Sequence, residues 1–203
     1  MNRVFIFLFG WVMMAGLSQA TTILALGDSL TAGYGLEAGH AMPDILQAAL
    51  KQGGKDITVI NAGISGDTAA QGAARLDWAL TPEVKALIVE LGANDALRGL
   101  PPEQTDQALR QIMDKAKAKG LPVLILGMKA PPNLGSDYQT KFDAIYPRLA
   151  ADYGAALYPF YLEGVAARPD LNQPDGMHPN DKGVAVIVPK LVPFVEGLVA
   201  KLP

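Results

Sequence analysis

The chain has no cysteine and only two histidines, His40 and His178, in 203 residues. Without cysteine there are no disulfides and no site for a lipid-modified cysteine anchor, so stability must come from the core. Two histidines and no thiolate also leave too few good ligands for a zinc site. Basic runs are missing as well: 17 Lys and Arg stand against 20 Asp and Glu, a net charge of −3. The positive patch that nucleic acid or an anionic membrane surface requires is therefore absent. The apolar stretch from Val4 to Leu17 falls short of the ~20 residues of a membrane-spanning helix. No repeat, low-complexity tract or linker interrupts the sequence.

Apolar residues make up 50% of the chain, enough for one globular domain with a sizeable core. The first twenty residues read differently from the rest. Arg3 is their one charge, and Ser18-Gln19-Ala20 offers the small residues a signal peptidase reads. Residues 1–20 are expected to be a cleaved secretory signal and residues 21–203 the folded domain. That domain is expected in the periplasm or outside the cell, without an integral membrane segment.

Short apolar runs alternate with helical patterns. Ile23–Leu26, Ile57–Ile60, Ala86–Leu91, Val123–Leu126 and a weaker Ala155–Phe160 have the length and branched composition of strands buried on both faces. Helices are expected over Pro43–Gln52, Glu103–Lys119, Ser136–Asp152 and Asp181–Leu202, the second presenting Leu109, Ile112, Met113 and Ala116 on one face. The pattern predicts an α/β class fold, a single-domain sandwich with a five-stranded parallel sheet and functional residues at the carboxyl ends of its strands.

Three residues in chain order suggest nucleophilic catalysis: Ser29 after the first strand, then Asp175 and His178 in Pro174-Asp-Gly-Met-His-Pro179. A serine hydroxyl is a weak nucleophile until a base takes its proton, and histidine does so when a carboxylate fixes its tautomer. Alone, Gly27-Asp-Ser is an ordinary turn and His178 an ordinary structural histidine; together they point to a hydrolase. His40 lacks a nearby serine and is expected to be structural. Asn94, after the third strand, can supply a side-chain amide to an oxyanion, and Gly66 a backbone amide just ahead of the helix-capping pair Asp67-Thr68. Gly63 is a rival for the glycine role.

These segments resemble the GDSL or SGNH hydrolases. The four blocks that carry the likeness are Gly27-Asp-Ser-Leu30, Ser65-Gly-Asp-Thr68, Leu91-Gly-Ala-Asn-Asp95 and Asp175-Gly-Met-His178. Their order and spacing are similar to the exported thioesterase, lysophospholipase and arylesterase subgroup, which the chain also resembles in Asn61-Ala-Gly-Ile64, Leu97-Arg-Gly99 and Ala144-Ile-Tyr-Pro-Arg148. The resemblance implies a flavodoxin-like three-layer fold, Ser29 as nucleophile, His178 as base and Asp175 as its partner. It further implies an oxyanion hole from the Ser29 amide, the Gly66 amide and the Asn94 side chain, with no metal and no cofactor. The implied substrate is a small ester or acyl thioester, handled by a monomer. Relatives often read Gly-Gly-Asn-Asp-Gly where this chain has Gly92-Ala-Asn-Asp-Ala96, so this loop is expected to move less. They tend to carry Arg-Leu-Pro on the acyl-binding side, where this chain has Lys129-Ala130-Pro131. Ala130 and Pro131 are thus expected at the substrate, with a less apolar groove.

Of the other readings, one stays open and the rest fit less well. A carbohydrate O-acetyl esterase would share every catalytic residue and differ only in the pocket walls, while a non-catalytic acyl carrier would have no use for the triad. Gly33-Tyr-Gly35 and Gly39 miss the dinucleotide-binding spacing, and Thr31 stands where an α/β-hydrolase elbow needs glycine.

Overall fold

Branched side chains fill both faces of a covered sheet, and the short apolar runs form one. The computed structural model describes residues 20–202. Five parallel strands, β1 (Thr21–Gly27), β2 (Ile57–Gly63), β3 (Val84–Glu90), β4 (Val123–Leu126) and β5 (Ala156–Tyr158), lie in the order β2-β1-β3-β4-β5. The expected secretory signal lies outside the described residues except for Ala20. Ile23, Leu26, Leu87 and Ile88 are fully buried, each worth roughly 1.5–3 kcal/mol of apolar burial.

The helices are α1 (Ser29–Ala32), α2 (Met42–Gln52), α3 (Ala69–Ala79), α4 (Ala93–Leu97), α5 (Pro102–Ala118), α6 (Ser136–Asp143), α7 (Ile145–Tyr153) and α8 (Asp181–Val199). One layer is α2 packed on α8; in the other, α5 packs against α3, α6 and α7. The result is the expected three-layer sandwich. In α5 the predicted face, Leu109, Ile112, Met113 and Ala116, is buried, and Lys115 and Lys117 occupy the last turn, where cations suit the helix dipole. Among the described residues no helix is long and apolar enough to cross a membrane.

Three elements differ from expectation. The single helix expected over Ser136–Asp152 is two, broken at Ala144. Pro147 is the cause: it has no amide to donate to Asp143, and its ring crowds that carbonyl. The last helix ends at Val199 rather than Leu202. Ser29 and Asn94, expected after the first and third strands, lie there inside short helices, α1 and α4, that the pattern did not show.

The sheet order sets the site. The chain leaves β1 toward β2 on one side and returns to β3 on the other, and a crevice opens at the carboxyl ends where the direction reverses. Gly27 pairs with Gly63 of β2 and with Glu90 of β3, so the segments that follow these residues meet at one level.

Candidate active site

Ser29 is the first residue of α1. Asp28 caps that helix, its carboxylate accepting the Leu30 amide at 3.0 Å. The Ser29 amide, in the first helical turn, has no intrahelical carbonyl to bond and points out of the helix start. His178 arrives from the opposite end of the chain on a loop closed at its base. Asn172 bridges Pro179 there, and the Gln173 amide donates to the His178 carbonyl at 2.7 Å. Within the loop Asp175 Oδ1 accepts the amides of Met177 and His178 at 2.9 and 3.0 Å, and Oδ2 meets His178 Nδ1 at 2.7 Å. Those two backbone amides, reinforced by the His178 ring, hold the Asp175 carboxyl down at about 2. Asp175 is thus an anion throughout the neutral range. An anion at Nδ1 keeps the proton on Nδ1 and leaves Nε2 free to accept. Nε2 faces Ser29 Oγ at 2.9 Å.

Gly66 has φ +88°, a left-handed conformation that glycine adopts without strain. Its carbonyl accepts Arg98 Nη2 at 2.8 Å, which turns the peptide so that the chain presents Gly66 to the cleft. Thr68 begins α3 with a reciprocal capping box to Gln71. Gly63, the rival, lies against the backbone of Asp28 and Ala32, where any Cβ would collide; it serves close packing.

Asn94 Nδ2 donates to Asp28 Oδ2 and to the Asp67 carbonyl, each at 3.0 Å. Its neighbour Asp95 is buried and ties three helices together, accepting the Ala69 amide at the start of α3 and the Thr105 hydroxyl of α5.

These groups border a cleft of about 510 Å³, whose walls are mostly apolar: Leu30, Leu97, Met128, Pro131, Phe160 and Leu162 among them. Ser29, Gly66, Asn94, Ala130, Pro131 and His178 all line it. Ala130 is held at both ends of its residue, its amide donating to Asp143 at 2.9 Å and its carbonyl accepting Gln139 at 3.3 Å. His40 is elsewhere, paired with Asp181 on the surface at 2.9 Å.

Four contributors were not foreseen from the residues. Tyr34 lays its ring 4.7 Å from that of His178, and Gln173 clasps the Tyr34 carbonyl at 2.6 Å. Arg98 holds Gly66. Glu90, wholly buried at the end of β3, abuts Asp28. Burial and the adjoining Asp28 charge push the Glu90 carboxyl well above the usual range, and burial lifts Asp28 to about 6.

Comparison with known proteins agrees with this geometry. Residues 25–186 match the GDSL-like lipase/acylhydrolase family. Esterase TesA of Pseudomonas aeruginosa is 44% identical over 169 residues, 83% of this chain and 84% of that protein. The thioesterase 1/protease 1/lysophospholipase L1 of Escherichia coli K12 is 43% identical over 175 residues, covering 86% and 83% of the two chains. Among solved structures, the psychrotrophic esterase EstA from Pseudoalteromonas sp., inhibited by monoethylphosphonate, superposes with a TM-score of 0.84 at 33% identity, covering 89% of this chain and 100% of that one. With the match spanning most of its length and its relatives named as esterases and thioesterases, the chain belongs to the GDSL-like lipase/acylhydrolase family, the SGNH hydrolases, and is a carboxylic ester hydrolase.

Proposed function

We propose that the chain cleaves carboxylic esters and acyl thioesters bearing an apolar acyl group, by way of an acyl-enzyme on Ser29. The observation that carries this reading is the continuous line from Ser29 Oγ through His178 to Asp175, at 2.9 and 2.7 Å. Ser29 Oγ attacks the carbonyl carbon while its proton passes to His178 Nε2, and Asp175 stabilises the imidazolium. The carbonyl electron pair moves onto oxygen, toward the amides of Ser29 and Gly66 and the side chain of Asn94. Each such donor contributes ~2.7–4 kcal/mol to the transition state. His178 returns the proton to the departing alcohol or thiol; it then deprotonates a water that displaces the acyl group and restores Ser29.

The apolar cleft wall favours an acyl chain over a sugar, and Ala130 and Pro131 stand where that chain would lie. Names of the relatives, esterase, thioesterase and lysophospholipase, support the same substrate class. The reading includes removal of residues 1–20, action as a monomer in the periplasm or outside the cell, and independence from metals and cofactors.

One measurement tests these points together. Exported protein is treated with a p-nitrophenyl phosphonate and weighed intact and under native conditions. The expected mass is that of one chain of residues 21–203 carrying one phosphonyl group, mapped to Ser29 and absent in Ser29→Ala. An unlabelled wild type, or equal labelling of Ser29→Ala, overturns the nucleophile; a retained Met1 overturns the leader; a native mass of two chains overturns the monomer.

A further inference from the structure

Glu90 takes no part in the reaction as described, yet the fold places it at the reacting serine's back. Strand register puts it beside Gly27, and its Oε2 accepts the Thr31 hydroxyl at 2.8 Å and the Asp28 amide at 3.4 Å. Its Oε1 is buried and no donor reaches it. The neighbouring acid is Asp28, also fully buried, whose backbone amide sits on Glu90 Oε2, so the two carboxyl groups share one dry site. Two carboxylates buried side by side are not both ionised, and burial together with the Asp28 charge favours the proton on Glu90. A protonated Glu90 converts its unpaired oxygen into a donor and removes the unsatisfied group.

Asp28 spends its own oxygens on catalytic neighbours. Oδ1 accepts the Leu30 amide and Oδ2 the Asn94 side chain, both at 3.0 Å. We propose that Glu90 is a positioning residue for ester hydrolysis: as a carboxylic acid it donates to the Asp28 carboxylate, and Asp28 in turn fixes the rotation of the Asn94 amide that faces the oxyanion. The inference rests on Ser29 being the nucleophile and Asn94 an oxyanion donor. One N–H of Asn94 is tied to Asp28 and the other lies on the Asp67 carbonyl, so the second is aimed and can be handed over to a developing negative oxygen. The Glu90 proton also draws the Asp28 charge away from the cleft, where a bare carboxylate would repel that oxygen.

The remaining ionisable groups around the pair are few. His178 faces Asp28 across the cleft. Tyr146 of α7 and Tyr161 beyond β5 face both acids, and both are held far above the neutral range by burial. Asp95 of α4 acts on Tyr146, while Arg75 of α3 donates to the Gly27 carbonyl and is paired with Asp67.

The test compares Glu90→Leu and Glu90→Gln with wild type in kcat, KM and the acid limb of the kcat/KM profile, after each has been labelled by the phosphonate. Glu90→Leu removes the donor that keeps Asp28 ionised; kcat is expected to fall about tenfold or more from displacement of a catalytic group. KM is expected to hold, and the acid limb to move upward by half a pH unit or more as Asp28 becomes harder to ionise. Glu90→Gln keeps a donor and is expected to regain most of the lost kcat with the limb in place. A Glu90→Leu variant that folds, labels on Ser29 and shows wild-type kcat with an unmoved limb overturns the proposal. If Glu90→Leu does not fold, Glu90→Gln decides: a tenfold lower kcat overturns the proposal, and near-wild-type kcat with an unmoved limb supports it. Failure of the wild type to label instead overturns the nucleophile on which the inference rests.

Discussion

Asn94 spends both hydrogens of one amide on protein acceptors, Asp28 and the Asp67 carbonyl. Any help it gives a substrate must therefore come from exchanging an acceptor as negative charge builds, an interaction stronger in the transition state than in the ground state. Asn94→Ala is expected to lower kcat by roughly 10²–10³ with little change in KM. Steady-state kinetics on a p-nitrophenyl ester check this, and a large KM rise at normal kcat would reassign Asn94 to ground-state binding. At this scale the sequence was legible where chemistry demands a rare combination: Ser29 just after a strand, and His178 sharing one short loop with Asp175. The supporting contacts were not. Arg98, Gln173 and Tyr34 act through partners 32 and 139 residues away and a ring contact between opposite ends of the chain, which no local pattern reports. Glu90 did leave a signal, as the one acid inside the apolar run Ala86–Leu91; an acid is rarely buried there without a partner.

Elements were legible where their pattern was distinct rather than where they were long: β5, three residues, was read, and α3, eleven residues, was not. The five strands and α2, α5 and α8 announce themselves through branched runs or periodic faces, whereas α1 and α4, four and five residues long, have too few turns to show a period. The division of α6 from α7 is the work of Pro147, and it has a use. Asp143, freed at the break, turns its carboxylate to the Ala130 amide at 2.9 Å and so pins the cleft wall. In α8 two prolines, Pro189 and Pro193, lie inside the helix on its exposed side, while Val184, Ile187, Val188, Leu191, Val195 and Leu198 are buried. Spaced four apart on the outer face, they remove the amide donors to the carbonyls of Ala185 and Pro189 on the side away from α2. Pro189→Ala restores a donor to the Ala185 carbonyl. Set against the greater freedom of the unfolded chain, this is expected to stabilise by about 1–2 kcal/mol, raising Tm by roughly 2–8 °C. Calorimetry reads it directly; an unchanged or lower Tm would mean that the missing hydrogen bond costs nothing in this helix.

Taken whole, the molecule is a rigid sheet with its chemistry in the connections above it. That the sheet is parallel was readable because strands alternate with helices; the cleft was not, since its walls come from five separate connections. The shape of the cleft makes acyl selectivity a property of the whole wall, and Ala130 is one tile of it. A leucine there adds apolar surface toward the acyl chain, where each buried methylene gains ~0.8 kcal/mol. Ala130→Leu is expected to shift preference toward longer chains, relative to a wild type that favours short acyl and aryl esters. The check is kcat/KM across p-nitrophenyl esters of increasing length for both proteins, and superimposable profiles would remove Ala130 from the groove.

Ser29 and His178 are 149 residues apart, and the histidine loop is anchored through Asn180, the cap of α8. Ribosomes deliver Ser29, the proposed nucleophile, among the first residues of the domain and His178, its proposed base, among the last. A growing chain therefore holds a serine of ordinary reactivity. Hydrolysis begins only when the carboxyl-terminal helix has docked, so that turnover itself reports the completion of folding.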